Sequence, residues 1–245
     1  MQILTASVIK GGTGKTTTCA ALAQAAAADG RRALAIDLDP QGNLSFALGA
    51  DLNQPGAFDL LHGADPAQLI QTTAQGVDVI PAAPDLATER TTPASAKRLQ
   101  SAIQPLQGSY DLIVIDTPPT AGELQYNALQ AATGLLIPLE ADTYSLQGLY
   151  QICDMAHQIQ ESNPALEILG TILTRYNNRP RISRFMAETI AQRGEEIGSP
   201  LLGTIRAGVA VVEAAALQVS LFDYAPKSNP AKDYAALYHR IMEGL

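Results

Sequence analysis

The stretch Lys10–Thr17 (KGGTGKTT) constrains this chain more than any other. It follows a short apolar run, Ile3–Ile9, and opens an alanine-rich stretch, Thr16–Asp29, that stops at Gly30. The apolar run reads as a strand, and alanine is the strongest helix former. Glycines at 11, 12 and 14 let the backbone between strand and helix curl back on itself. Strand, tight loop and helix in this order begin a βαβ unit, which commits the chain to a parallel sheet.

The alternation continues. Apolar runs at Ala33–Leu38, Val77–Pro81, Leu112–Ile115, Leu135–Leu139, Ile168–Leu173 and Leu201–Ile205 read as further strands. Between them lie helical stretches. Ser145–Glu161 sets Leu146, Leu149, Ile152, Cys153, Ala156 and Ile159 on one stripe. A last helix opens with Asn229 and Pro230 as N-cap and first helical residue, and carries Tyr234, Leu237, Tyr238 and Ile241. The expected fold is α/β: one domain over residues 1–245, a mostly parallel twisted sheet flanked by helices on both faces. Ligands of such sheets bind beyond the carboxyl ends of the strands.

Composition removes several classes of function. Two cysteines, Cys19 and Cys153, make neither a disulfide scaffold nor a zinc module, and both read as core residues. His62, His157 and His239 show no metal-ligand spacing. No apolar run reaches the ~18 residues of a membrane span. The N-terminus lacks a basic start before an apolar stretch, so a cytoplasmic protein is expected.

The net charge of −8 argues against bulk attraction to nucleic acid or anionic lipid. The charge is unevenly spread. Residues 101–174 hold eight acids and no Lys or Arg, whereas residues 175–184 hold four arginines and no acid.

A loop such as 10–17 is built to hold phosphate. Its N–H groups converge on an anion, and the helix that follows points its positive dipole end at the same place. Gly11, Gly12, Thr13 and Gly14 would form the cradle. Lys15 would reach the β- and γ-phosphates, the Thr16 hydroxyl would bind Mg²⁺, and Thr17 could contact the α-phosphate. The strict pattern G-x-x-x-x-G-K-T is not met, because position 9 is Ile. The loop is a shortened variant led by Lys10.

Acids at two further strand ends fit the same chemistry. Asp116 follows the run Leu112–Ile115 and would hold a magnesium-bound water. Asp37 and Asp39 lie two apart, which on an extended chain puts both on one side, facing the phosphates. One could hold the metal shell while the other orients the attacking water.

KGGTGKTT, the segment DLDPQGN (37–43) and YDLIVIDTPP (Tyr110–Pro119) resemble those of the ParA-type partition ATPases, in the deviant Walker A group that also includes MinD-like ATPases. The likeness runs through PLEADTYSLQG (138–148), LTRYN (173–177) and PKSNPAKDY (226–234). It implies an ATPase using ATP and Mg²⁺ that forms a face-to-face homodimer when ATP is bound. Lys10 would be the signature lysine reaching the partner's nucleotide, and Asp39 the acid that positions water. Asp39–Asn43 and Asp116–Glu123 would be the two switch segments. The resemblance further implies sequence-independent DNA binding by the ATP dimer and a ParB-type stimulator, in a cycle that segregates or positions DNA. A metabolic P-loop enzyme that passes phosphate to a small acceptor is a further alternative.

Two departures bear on that expectation. Thr13 stands where many relatives have Val, at a position read as tolerant. The segment IRAGVAVVEA (205–214) keeps Arg206 but has Ala207, Ala210 and Val212 where many relatives carry a more basic sequence. Arg175, Arg179, Arg181 and Arg184 are therefore the candidate DNA surface. Arg175 or Arg206 is alternatively the candidate to lie against adenine. Without DNA contact, the chain would be a nucleotide-gated adaptor positioning a protein cargo. No helix-turn-helix precedes the loop, so operator binding is not expected. The closing HRIMEGL lacks the basic amphipathic face of a membrane-targeting helix.

Overall fold

The computed structural model describes residues 1–89 and 95–244. Eight strands form one sheet: β1 (Gln2–Ala6), β2 (Ala33–Asp37), β3 (Gln71–Thr72), β4 (Asp78–Ile80), β5 (Leu112–Asp116), β6 (Gly134–Leu139), β7 (Glu167–Tyr176) and β8 (Leu201–Arg206). Their order is β3-β4-β2-β5-β1-β6-β7-β8. Every pairing is parallel except β3 with β4. β3 is absent from the expected strands. At two residues it is too short to show a period.

Side-chain alternation sorts the central strands between two faces. Leu4, Ala33, Ala35, Leu112 and Val114 pack on one side with the helices Lys15–Ala28 and Asn229–Met242. Ile3, Leu34, Ile36, Ile113 and Ile115 pack on the other with Glu123–Ala131 and the helices before it. The helix Lys15–Ala28 is buried along most of its length, and its alanines meet Ala33 and Ala35. Small side chains on both partners let helix and sheet approach closely. The stripe on Ser145–Gln160 is buried at Leu149, Ile152, Cys153, Ala156 and Ile159.

Several boundaries differ from expectation. β1 stops at Ala6, three residues short of Ile9, and leaves 7–9 to the loop. β7 extends through the polar residues to Tyr176. The final helix is capped by Ser228, whose hydroxyl accepts from the Ala231 N–H, so Asn229 is the first helical residue and Pro230 the second. Among the described residues no helix is long and apolar enough to cross a membrane; Leu245 lies outside them.

Candidate functional site

β2, β5 and β1 are neighbours, so their carboxyl ends meet at one place. Register pairs Ala6 with Asp116 and Asp37 with Asp116. The loop after β1 runs over these ends into the helix Lys15–Ala28. Gly12 (φ 75°) and Gly14 (φ 88°) hold left-handed conformations that bend it. A side chain at Gly14 would also meet Thr174 Cγ2 at 3.2 Å. The loop is pinned from below: the Thr174 hydroxyl donates to the Thr13 carbonyl (2.7 Å) and to Leu139 O (3.2 Å).

A cavity of about 560 Å³ opens above the loop. Gly11–Thr17, Asp39, Gln41 and Arg175 line its polar end. Lys15 is 6% exposed, and its Nζ donates to the Lys10 carbonyl at 2.9 Å. Burial lowers its pKa, opposed by the charges of Asp116 and Asp39. The Thr16 hydroxyl donates to Asp116 Oδ2 at 2.6 Å, and the Thr117 N–H to Asp116 Oδ1 at 3.0 Å. Asp116 is fully buried, and burial followed by the nearby Asp37 charge holds its pKa well above the usual carboxylate range.

Asp37 does not face the cavity with Asp39. The strand ends at Asp37, so the alternation rule does not carry across Leu38. The Asp37 carboxylate turns inward, accepting from Ser45 N (2.8 Å), Ser45 Oγ (2.7 Å) and Asp39 N (3.1 Å). Burial nevertheless raises its pKa to about 6. Asp37 fastens the start of the helix Asn43–Leu48 to the sheet, while Asp39 faces the cavity with Oδ1 on the Gln41 N–H (3.0 Å).

Lys10 stands outside the cavity. Its Nζ is 2.5 Å from Asp142 Oδ2 and 3.4 Å from Ser145 Oγ, at the start of the helix Ser145–Gln160. Nothing local in the sequence marks Asp142 as the partner of a residue so distant. The expected switch segments are loops that end where helices start, at Asn43 and Glu123.

The arginines divide. Arg175, in a left-handed conformation (φ 48°), lines the cavity and pairs with Glu140 at 2.9 Å. Arg206 is held by Asp233 through Nε (2.9 Å) and Nη2 (2.6 Å). Both border an adjoining hollow with Gly14, Thr17, Val209 and Val212. Arg179, Arg181 and Arg184 are exposed at the start of the helix Arg181–Glu196. Arg184 donates to the carbonyls of Asn178 and Arg179. Among the described residues, Arg175 pairs with the acidic segment 101–174, whereas Arg179, Arg181 and Arg184 do not. Cys19 and Cys153 are buried free thiols whose pKa values are raised by burial.

The site fits a magnesium-bound nucleotide. Gly12 has open space where a side chain would stand, the buried Thr13 hydroxyl has no partner, and Lys15 supplies a cation. Thr16, with Asp116 and Asp39 behind it, supplies the oxygen donors that Mg²⁺ takes.

Residues 1–168 match the family model described as an AAA domain. The chain is 34% identical over 236 residues to the chromosome-partitioning ATPase Soj of Thermus thermophilus, covering 95% of this chain and 92% of that protein. It is 36% identical over 209 residues to the chromosome partitioning protein ParA of Caulobacter vibrioides, covering 80% and 78%. Its fold matches a cobyrinic acid a,c-diamide synthase from Mycobacterium smegmatis, solved with ADP and magnesium (TM-score 0.85, 30% identity, 99% and 94% covered). The phosphate loop, its acids and these matches over most of the chain carry one conclusion: this protein belongs to the Soj/ParA family of P-loop ATPases, with ATP and Mg²⁺ as the ligands of the site.

Proposed function

We propose that the protein is an ATP-switched positioning factor: two copies close over ATP, the closed dimer binds DNA without sequence preference, and a partner protein triggers hydrolysis and release. What supports this most is Lys10. It belongs to the phosphate loop, yet its ammonium lies outside that loop's cavity, on Asp142. A lysine so placed can serve the nucleotide of a second copy.

Within one copy, the loop N–H groups and Lys15 hold the β- and γ-phosphates. Asp39 orients the water that attacks the γ-phosphorus, and ADP and phosphate leave. When bound, Mg²⁺ would neutralise charge on the phosphates. Thr16, Asp116 and Asp39 are the residues that would hold it. Lys10 from the partner neutralises charge developing on the transferred group, so turnover depends on pairing. A lone copy lacks that cation, and intrinsic hydrolysis is slow. The cell compartment is the cytoplasm, with the ATP form on the nucleoid.

The acidic balance favours a second reading, the adaptor that carries a protein cargo without DNA. Charge totals −8, and Arg175 and Arg206 are matched within the fold by Glu140 and Asp233. One experiment separates the two. Asp39→Ala should slow hydrolysis and trap the ATP dimer, and DNA binding is then measured with ATP or ADP across a salt series. ATP-dependent retention that weakens steeply with salt supports the DNA cycle. A trapped dimer that ignores DNA at low salt overturns it in favour of the adaptor.

A further inference from the structure

Ile182 and Phe185 are large apolar side chains left in water, 57% and 61% exposed, near the start of the helix Arg181–Glu196. Three residues apart, they share one helix face. The helix buries its core side through Met186, Ile190 and Gly194, so this pair is not what holds it to the sheet. A single exposed apolar residue is ordinary. Two together inside a cationic stretch ask for a reason.

Residues 177–187 carry Arg179, Arg181 and Arg184 and no acid. All three arginines are exposed, and none pairs with a carboxylate among the described residues. Arg184 Nη1 donates to the carbonyls of Asn178 and Arg179, which braces the turn before the helix. Arg181 and Arg184 are also three apart, so they line the face beside Ile182 and Phe185. Three unpaired cations on a chain of net charge −8 mark this end of the helix for an anionic partner. The apolar pair requires that the partner also offer a dry surface.

We propose that the start of this helix enters the minor groove of duplex DNA, with Arg179, Arg181 and Arg184 on phosphates and Phe185, backed by Ile182, wedged between two base pairs. Duplex DNA joins both chemistries, an anionic edge and an apolar stack. Arginines on phosphates set the register without reading sequence. An apolar side chain that enters a base step partly unstacks it and kinks the duplex. An anionic lipid surface fits less well. The same helix goes on to carry Glu188, Glu195 and Glu196, all exposed, whereas a helix lying on lipid keeps a basic polar face along its length. The wedge rests on the DNA-binding reading above and adds to it that the bound DNA is bent.

The test uses the Asp39→Ala protein with ATP and Mg²⁺ and a short duplex carrying a fluorophore at each end. Energy transfer between the ends reads bending, and retention across a salt series reads affinity. The parent should bring the ends closer on binding. Phe185→Ala should weaken binding at least fivefold at every salt concentration, leave the log–log slope unchanged and abolish the bend. Phe185→Leu should restore both affinity and bend. Phe185→Lys should steepen the slope by about 0.9 per copy without restoring the bend. With Asp39 intact, ATP turnover in the absence of DNA should be the same in all three variants as in the parent, which checks that they fold. Bound DNA that stays straight, or a Phe185→Ala protein that binds and bends as the parent does, overturns the wedge and leaves the DNA cycle standing. Absence of any ATP-dependent DNA retention overturns both. Binding to phosphatidylglycerol vesicles that Phe185→Ala abolishes, with DNA binding untouched, gives this surface to a lipid and overturns the wedge as well.

Discussion

Lys10 and Asp142 form an ion pair between the loop after β1 and the turn before the helix Ser145–Gln160, 132 residues apart in the chain. Partial burial pulls the Asp142 pKa up, but donors from Lys10, Tyr144 N and Ser145 Oγ outweigh it and hold the carboxyl below its usual value. A lysine claimed by its own chain must be released before it can serve a second copy.

Asp142→Asn should therefore favour the ATP-bound pair. The two side chains are 27% and 36% exposed, so the contact is worth at most about 1 kcal/mol, or roughly fivefold in association. Sedimentation with a non-hydrolysable ATP analogue reads this directly. Weaker association in the variant would mean that Asp142 presents Lys10 to the partner instead of withholding it.

Asp116→Asn should separate stability from nucleotide binding. The buried carboxylate is costly to ionise, and the amide removes that cost, so the nucleotide-free variant should melt no lower than the parent. Its Mg²⁺-dependent ATP affinity should fall about 10- to 100-fold, as for other groups that orient a metal shell. Thermal melts with and without Mg-ATP carry both readings. A variant that melts far below the parent without nucleotide contradicts the first.

Acid should stabilise the nucleotide-free protein through Asp37. Its carboxyl ordinarily titrates at 3.8 and is pushed up to about 6, so the folded state binds its proton more tightly than the unfolded chain. The contribution is complete below 3.8 and is lost as pH rises through about 6. Urea midpoints measured across this window should show the decline, with a shallower slope in Asp39→Asn, where the like charge that adds to the effect of burial is gone.

Gly14→Ala should damage the loop twice. The residue sits at φ 88°, and the added carbon meets Thr174 at 3.2 Å. The left-handed conformation alone costs about 1–2 kcal/mol in a residue with a side chain. Lower melting together with lost nucleotide binding is expected; a variant that binds ATP normally would show that the loop does not need this bend.

Removal of Arg179, Arg181 and Arg184 as alanines should flatten the salt dependence of DNA retention. Each phosphate that is no longer neutralised lowers the log–log slope by about 0.9. An unchanged slope would move the DNA surface elsewhere.

Much of this molecule was legible in its sequence, and the remainder has identifiable causes. Long apolar runs marked the parallel strands, because a doubly covered sheet leaves no polar face to disguise them. The loop was legible because glycines at 12 and 14 have a conformational purpose. Asp37 was misplaced because alternation ends with the strand, and its latch on Ser45 arises from a turn that periodicity does not describe. The Ser228 cap was missed by one residue because Ser, Asn and Pro all favour helix starts. The Asp142 carboxylate and the Thr174 hydroxyl were out of reach for a different reason. Both are defined by what lies beside them in space, and no local pattern records that.

The Thr174 hydroxyl, which binds carbonyls of Thr13 and Leu139 together, ties the phosphate loop to the β6 and β7 side of the site. On the β7 side the phosphate loop is stapled to two strands. On the β2 side, Asp39 is tethered locally, to Asp37 at the strand end and to Gln41 and Gly42 in its own turn. Loss of the γ-phosphate would then be felt first in the loops after Asp39 and Asp116, while the flank pinned by Thr174 keeps its hold on the remaining nucleotide. A protein built this way can signal that hydrolysis has happened before it lets its product go.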